Sequence, residues 1–140
     1  MKSERSEAPA MEVLTDRFQD KVSSLLIRHQ SILDILSKRQ ETSARVNRAV
    51  VKTVTNCGCL AVEARKKPLP EDVSLRDLKE LLSSHLEGSL CDNCRDIIET
   101  ELGKELFYMA ALANTLGISL ADVFEKEEKK LSTLTIFNLT

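Results

Sequence analysis

The four cysteines of this chain fall into two tight pairs, and any fold that the chain adopts has to account for them. Cys57 and Cys59 form a Cys-x-Cys pair, and Cys91 and Cys94 form a Cys-x-x-Cys pair about thirty residues later. Each pair can supply two sulfur ligands from one short, stiff stretch, so two pairs together match a tetrahedral four-sulfur metal site. We therefore expect the fold to bring the two pairs together.

The residues around the pairs favour this convergence. In a regular helix, residues two apart point about 200° away from each other, so Cys57 and Cys59 need a break between them. Gly58 can end the helix and adopt a positive φ, which turns both sulfurs toward one point. Cys91 and Cys94 are three apart at an expected helix start, where they share a face and where the helix dipole favours thiolates.

Zinc is the first interpretation of this site, because four thiolates suit its tetrahedral geometry. An iron–sulfur cluster also takes four thiolates, and Cys91 with Cys94 alone would suit a dithiol redox pair. The cysteines can also be small buried hydrophobic residues. In the zinc interpretation, the ion ties the end of one helix to the start of another, within one chain or across a dimer.

Residue usage outside the pairs favours helices. The chain of 140 residues has four Gly, three Pro and no Trp, with 42% hydrophobic and 30% charged residues. This balance is typical of one all-α domain, which we place over residues 11–140 after a flexible tail of residues 1–10. Apolar positions that recur every three or four residues predict a helical bundle of about five helices.

Caps and helix breakers set the expected boundaries. Five segments are predicted as helices: residues 11–36, 41–56, 75–87, 89–116 and 120–131. The polar stretch 37–43 separates the first two, unless they are fused into one rod. The third helix is expected to bury Leu75, Leu78, Leu81 and Leu82, and the fifth to bury Leu120, Val123, Phe124 and Leu131. Along the fourth helix, an apolar set keeps a strict three-four spacing: Ile98, Leu102, Leu106, Met109, Ala113 and Leu116. The final TLTIFNLT is β-prone and predicts an extended tail.

Charge and hydropathy exclude some partners. A net charge of -2 gives no field that would recruit nucleic acid or an anionic membrane. The first ten residues lack the apolar stretch of a secretory signal, and no later run reaches the roughly 18 apolar residues of a membrane span. We therefore expect a cytoplasmic protein, whose clustered thiols stay reduced and serve metal or redox chemistry.

The stretch ELGKELFYMAALANTLGISLADVFEKEEKKL, residues 101–131, resembles the C-terminal half of the MazG-like, all-α nucleoside triphosphate pyrophosphohydrolases. That family holds Mg²⁺ with carboxylates from an E-E-x-x-E motif and a later E-x-x-D motif. The resemblance implies a MazG-like bundle with Glu101 at the glutamate of the second motif. If the chain is active, Glu101 and Glu105 are the candidate catalytic carboxylates, and Mg²⁺ is the cofactor. Lys104 stands at the aspartate position, however, and Glu41 is the single acid of the earlier helix, so Mg²⁺ would meet repulsion.

A basic stripe supplies a different ligand chemistry. Arg45, Arg48 and Lys52 are spaced three and four apart on one helix face, and Arg95 joins them if a metal gathers the thiols. Such a cluster suits a phosphate or nucleotide; the alternative is a solvated face or ion pairs to acids of the fourth helix. The first interpretation is therefore a nucleotide or phosphate ligand bound without efficient hydrolysis, with an active Mg²⁺-dependent pyrophosphohydrolase as the alternative.

A third interpretation is a redox or metal sensor, in which Cys91 and Cys94 respond to oxidation. The segments VNRAVVKTVTNCGC and CDNCRD are also similar to a family of small bacterial proteins that carry both cysteine pairs and have no established activity. Finally, neighbouring apolar residues such as Leu106 and Met109 give helix faces wider than one antiparallel partner covers, so we expect a homodimer.

Overall fold

The computed structural model describes residues 10–133 and shows an all-α bundle with one small sheet. The helices are α1 (Ala10–Leu25), α2 (Ile32–Lys52), α3 (Leu75–Leu81), α4 (Asp92–Thr115) and α5 (Leu120–Thr133). The strands β1 (Leu60–Val62) and β2 (Leu86–Gly88) pair antiparallel. The predicted all-α class and the number of helices are confirmed. The predicted N-terminal tail, apart from Ala10, and the C-terminal tail after Thr133 lie outside the described residues.

Helices α2 and α4 form the antiparallel centre of the bundle and share its most extensive helix contact. Ile35, near the start of α2, packs with Ala110 and Ala111, near the end of α4. At the opposite end of the pair, the Cys57 and Cys91 sulfurs lie 3.8 Å apart. The cysteines therefore lie at one end of the helix pair and the apolar core at the other.

The core is small and joins three helices. Its buried members are Val22, Ile35, Ala110 and Ala111, and partly buried residues surround them: Phe18, Leu26, Phe107, Tyr108, Leu112 and Leu120. The two alanines leave room for α1 and α2 to approach α4 closely. The rings of Phe107 and Tyr108 meet edge to face, with centroids 5.2 Å apart.

A polar network fixes the turn between α4 and α5 against α1. Gln19 is 8% exposed, and its amide nitrogen donates to Asn114 Oδ1 at 3.0 Å and to the Ile118 carbonyl at 2.9 Å. Its amide oxygen accepts from the Leu120 backbone N–H at 2.8 Å. Gly117 ends α4 with a φ of +68°, as its sequence position predicts. One buried glutamine thus satisfies polar groups at both ends of this turn.

The break between the first two helices was predicted in the wrong place. It lies at residues 26–31 instead of 37–43, which is helical. Ser31 caps α2, because its hydroxyl accepts from the Leu33 N–H at 3.3 Å. Inside α2, the Thr42 hydroxyl donates to the Lys38 and Arg39 carbonyls, so this buried polar side chain has partners within the helix.

The prediction for the third helix was right at its start and wrong at its end. Ser74 caps α3 by accepting from the Asp77 N–H at 3.2 Å. The helix ends at Leu81 instead of running to Gly88, because residues 86–88 pair with β1. The predicted burial of its leucines is wrong: α3 has no buried residue.

The fourth helix begins three residues later than predicted, at Asp92 with Cys91 as its cap. The predicted inward row of α5 is largely wrong, because Val123, Phe124 and Leu131 are exposed. Along α4, Ala113 is buried, whereas Leu102, Leu106, Met109 and Leu116 are 38% to 58% exposed. Helices α1 and α2 pack against other sides of α4 and leave this apolar row about half uncovered.

None of the described helices is by itself both long enough and apolar enough to cross a membrane. Helices α4 and α5 reach that length and hydropathy only when they are taken together, and they are bent by 102° at the break between them.

Candidate metal centre

The first cysteine pair is shaped by the end of α2. The helix continues into a π-helical turn, Thr53–Cys57, and Gly58 closes that turn with a φ of +76°. The Gly58 N–H donates to the Thr53 carbonyl at 2.8 Å. Because the chain reverses direction at this left-handed residue, Cys57 and Cys59 can face the same point although they are only two residues apart. The predicted role of Gly58 is confirmed.

The small sheet brings the second pair to the first. Strand β1 begins directly after Cys59, and β2 ends at Gly88, shortly before Cys91. In the register of the sheet, Leu60 lies opposite Gly88. Gly88 has a φ of +86°, and a Cβ at this position would collide with the Cys59 carbonyl oxygen. The close approach of the two segments therefore depends on glycine at this position.

The second pair sits on the first turn of α4. Cys91 is the cap residue, and its sulfur accepts a hydrogen bond from the Cys94 N–H at 3.4 Å. Cys94 is buried, whereas Cys91 and Cys59 are partly buried and Cys57 is exposed. The helix N-terminus stabilises negative charge on these sulfurs.

The four sulfurs form one compact cluster. The Sγ atoms of Cys57, Cys59, Cys91 and Cys94 all lie within 4.8 Å of one another, and none is in a disulfide. In a tetrahedral site with Zn–S bonds of about 2.3 Å, neighbouring sulfurs lie about 3.8 Å apart. The Cys57–Cys91 distance of 3.8 Å matches that edge. The predicted convergence is confirmed, and the cluster can hold a metal ion.

Hydrogen bonds within the cluster lower the pKa of the Cys91 thiol and raise that of the Cys94 thiol. The hydrogen bonds from the Cys94 N–H and thiol lower the pKa of Cys91 to about 7. The hydrogen bond with Cys91, together with burial, raises the pKa of Cys94 to about 12. The metal-free cluster therefore carries a thiolate at Cys91 above neutral pH, and a metal ion would displace the remaining protons.

The chain matches no known protein family, no curated protein and no solved structure. The functional argument therefore depends on the geometry of the chain itself.

The predicted basic stripe lines one groove beside the cluster. Arg45, Arg48 and Lys52 face an open groove of about 520 Å³ between α2 and α4. Glu41 lines the same groove and accepts from Arg45 at 3.1 Å. Hydrogen bonds from Lys38 first, and then from Arg45, lower the pKa of Glu41.

Two of these cations have no ion-pair partner among the described residues. Within residues 10–133, neither Arg48 nor Lys52 forms an ion pair, so the predicted alternative of ion pairs to acids of α4 is not seen there. The third cation, Arg45, is paired with Glu41 on its own helix. Arg95 is an exposed residue two positions before Ile97, which lines the groove, so Arg95 points about 200° away from it around α4.

The structure places the two candidate catalytic carboxylates in different grooves. Glu101 lines the basic groove; its Oε1 lies 3.5 Å from Lys104 Nζ, and its Oε2 is buried without a hydrogen-bond partner in the described part of the chain. Glu105 lines a groove on the opposite side of the helix pair, with Leu36 and Arg39. Glu101 is therefore the carboxylate that lies beside the cations.

Sequence reasoning missed the sheet that assembles the cluster. Each strand has three residues, and the five outer positions of the pair are exposed while Leu60 alone is buried. Alternation over such a short stretch gives no recognisable strand pattern. The one usable signal was Gly88 close before the second cysteine pair, which was interpreted as a helix end.

Proposed function

We propose that the four cysteines hold one structural zinc ion that fastens the end of α2 to the start of α4. The observation that supports this most directly is the cluster of four sulfurs within 4.8 Å. Four protein ligands fill a tetrahedral shell and leave no open position for substrate, which is the arrangement of structural rather than catalytic zinc sites. We place the protein in the cytoplasm, where reduced thiols remain free to bind the ion.

The spacing of the sulfurs favours a single ion. The thiolates around an iron–sulfur cluster surround several irons and bridging sulfides, so they lie farther apart than the ligands of one ion. All four cysteine sulfurs lie within 4.8 Å of one another, which fits the shorter distances around a single ion. A single iron would share this geometry, so the test has to identify the element.

Elemental analysis of protein purified without added metal or chelator tests the zinc site. We expect about one zinc per chain, lost in Cys94→Ser and kept in the neighbouring control Asn93→Ser, because Asn93 is exposed on the same turn of α4. One iron per chain, together with visible absorbance, would show that the bound ion is iron and not zinc. Neither metal, together with four titratable thiols, would reject the site.

The same cysteines test the redox-sensor alternative. The exposed Cys57 sulfur lies 3.8 Å from that of Cys91, which favours a disulfide between them once one thiol is oxidised by a peroxide. Metal-free protein that forms this disulfide reversibly, with a change in thermal stability that Cys91→Ser abolishes, would support the sensor interpretation over a structural ion.

We also propose that the basic groove binds a phosphate group, as in a nucleotide, without efficient hydrolysis. Arg48 and Lys52 are one turn apart, line the same groove and have no ion-pair partner among residues 10–133. Arg offers a planar set of donors and Lys a mobile point charge, and both suit phosphate oxygens. A MazG-like ancestry, proposed from the sequence of α4 and α5, agrees with a nucleotide ligand.

Glu101→Gln distinguishes phosphate binding from the hydrolase alternative. For a bound phosphate, the change removes a negative charge beside the anion, so binding of pyrophosphate and of nucleotides measured by calorimetry should tighten. For a Mg²⁺-dependent hydrolase, the same change should abolish pyrophosphate release, because a carboxylate ligand is lost. An unchanged rate of release would reject Glu101 as a catalytic residue.

Arg48→Ala is the companion variant. It should weaken pyrophosphate binding at least about tenfold, since it removes a charge-assisted contact. Arg76→Ala is the matched control, because Arg76 is an exposed arginine on α3 outside the groove. Equal binding by the wild type and Arg48→Ala would reject the phosphate proposal and leave the zinc proposal intact.

A further inference from the structure

The bundle exposes more surface than a folded monomer of its size. Monomers of 15.7 kDa expose about 7,300 Å², whereas this chain exposes 11580 Å². Residues outside the described range 10–133, even if they are counted as unfolded chain, account for about 2,600 Å² of that area. At least about 1,700 Å² of surplus remains, roughly twice what each partner loses in a standard protein interface.

Part of the surplus is an apolar surface on one side of the central helix pair. Its members are 38% to 50% exposed, and we name them the α2–α4 apolar face: Leu36, Val50, Leu102, Leu106 and Met109. Leu36 of α2 and Glu105 of α4 line a common groove of about 600 Å³, so these parts of the two helices border the same side of the helix pair. Leu102 and Met109 lie one turn before and after Glu105, so the face runs along both helices.

The face lies opposite the basic groove. Arg48 and Lys52 line the groove on the other side of α2, whereas the groove lined by Leu36 and Glu105 opens on this side. Burial of the face would therefore leave the proposed phosphate site accessible.

We propose that the α2–α4 apolar face binds the same face of a second copy of this chain, giving a two-fold dimer with a four-helix centre. Two antiparallel helix pairs, packed face to face, form the usual four-helix arrangement. The face also carries one cation and one anion at its groove, Arg39 and Glu105, both partly buried. A two-fold axis that passes between Arg39 and Glu105 would bring the Arg39 of each copy toward the Glu105 of the other, so the face can be self-complementary.

The area supports an identical partner. The residues of the face are still 38% to 50% exposed, and a two-fold interface would bury each of them in both copies. A chain whose own buried hydrophobic residues number seven among those described has much to gain from such an interface.

Size-exclusion chromatography with light scattering tests the dimer on the purified, metal-loaded chain. We expect twice the chain mass, and Leu106→Lys should raise the dimer dissociation constant at least about 100-fold, because the new charge is buried twice. Leu82→Lys is the matched control: Leu82 is a leucine with similar exposure, 54% against 50%, at the end of α3. A wild-type chain that stays monomeric at about 100 μM overturns the proposal, and so does a Leu106→Lys dimer as stable as that of the wild type.

Charge exchange tests the two-fold axis and does not depend on Leu106→Lys folding. Arg39→Glu and Glu105→Arg should each weaken the dimer, because each places like charges opposite one another across the axis. The double variant should restore association to within about tenfold of the wild type. A double variant as weak as the single ones rejects the pairing of Arg39 with Glu105 and with it the proposed two-fold face.

Discussion

Gly88 connects strand pairing to the geometry of the cysteine cluster. Its φ of +86° is costly for any residue with a side chain, and a Cβ would meet the Cys59 carbonyl. Gly58 has a similar φ of +76°, but a Cβ there would meet nothing within 4 Å. Substitution of Gly58 therefore tests the cost of a side chain at positive φ alone, whereas substitution of Gly88 adds the cost of the contact with Cys59.

We expect Gly88→Ala to weaken zinc binding at least about tenfold, because relief of the contact moves Cys59 away from the other sulfurs. Gly58→Ala should lose only about 1 to 2 kcal/mol of unfolding free energy, the ordinary cost of a left-handed alanine. Competition with a chromophoric chelator and urea unfolding measure the two quantities. Equal losses of zinc affinity in both variants would mean that the contact with Cys59 has no role.

The two perturbed thiols should differ in their reactivity in metal-free protein. With a pKa lowered to about 7, Cys91 should be alkylated faster as pH rises through 7, and its rate should level off only well above that pH. Cys94, with its pKa raised to about 12, should stay slow through pH 9. Timed iodoacetamide labelling, followed by peptide mass spectrometry, measures both rates. If Cys94 is labelled as fast as Cys91 at pH 8, the described hydrogen bond between them is absent in solution.

At the scale of elements, Gln19 joins α1 to the turn between α4 and α5. Three of its hydrogen bonds reach residues about a hundred positions away. We expect Gln19→Ala to reduce the free energy of unfolding by about 2 to 4 kcal/mol, since it leaves buried partners unpaired. The control Gln30→Ala removes an exposed glutamine that bonds only to nearby carbonyls and should cost less than about 1 kcal/mol. Urea unfolding measures the free energy of unfolding of both variants. Similar losses in the two would contradict this role of Gln19.

The cysteine cluster was predictable because each pair acts through local geometry. A glycine between Cys57 and Cys59, and a spacing of three between Cys91 and Cys94, limit where the sulfurs can point. The helix breaks were harder to place. The apolar pattern continues through the loop at Leu26 and Ile27, so it does not mark the break there. Thr42 looks like part of a polar interruption in the sequence, but its hydroxyl donates to the Lys38 carbonyl and α2 continues through it.

The inward rows could not be predicted from periodicity alone. A three-four repeat shows that a helix has an apolar face, but it does not say which element covers that face. The described part of the chain leaves Leu102, Leu106 and Met109 38% to 50% exposed. The repeat therefore identified the apolar face of the helix but not how much of that face the same chain would bury.

For the whole molecule, the distribution of burial predicts two regions of different stability. Leu60 is the only buried residue from 54 to 93, whereas the apolar core lies at the far end of α2 and α4. If the proposed zinc ion is bound, its removal should therefore loosen the cysteine end and leave the core end folded.

Hydrogen exchange with and without a chelator measures this difference. We expect amide exchange to accelerate at least about 100-fold in residues 53–62 and 86–94, and to change little in the segments around Ile35 and Ala110. Cys94→Ser should reproduce the pattern without chelator. A uniform acceleration over the whole bundle would show that the ion stabilises all of it as one unit.

The exposed stretch between the cysteine pairs has a further consequence for how the chain can be divided. Residues 63–72 are all exposed, and both ends of the loop that contains them are closed by β1, β2 and the cysteine cluster. A protease cut inside this stretch would leave each fragment with two of the four sulfurs and one helix of the central pair. If the proposed ion is bound, the fragments should stay associated through it and through helix packing, and we expect the protein to assemble from two separately made pieces.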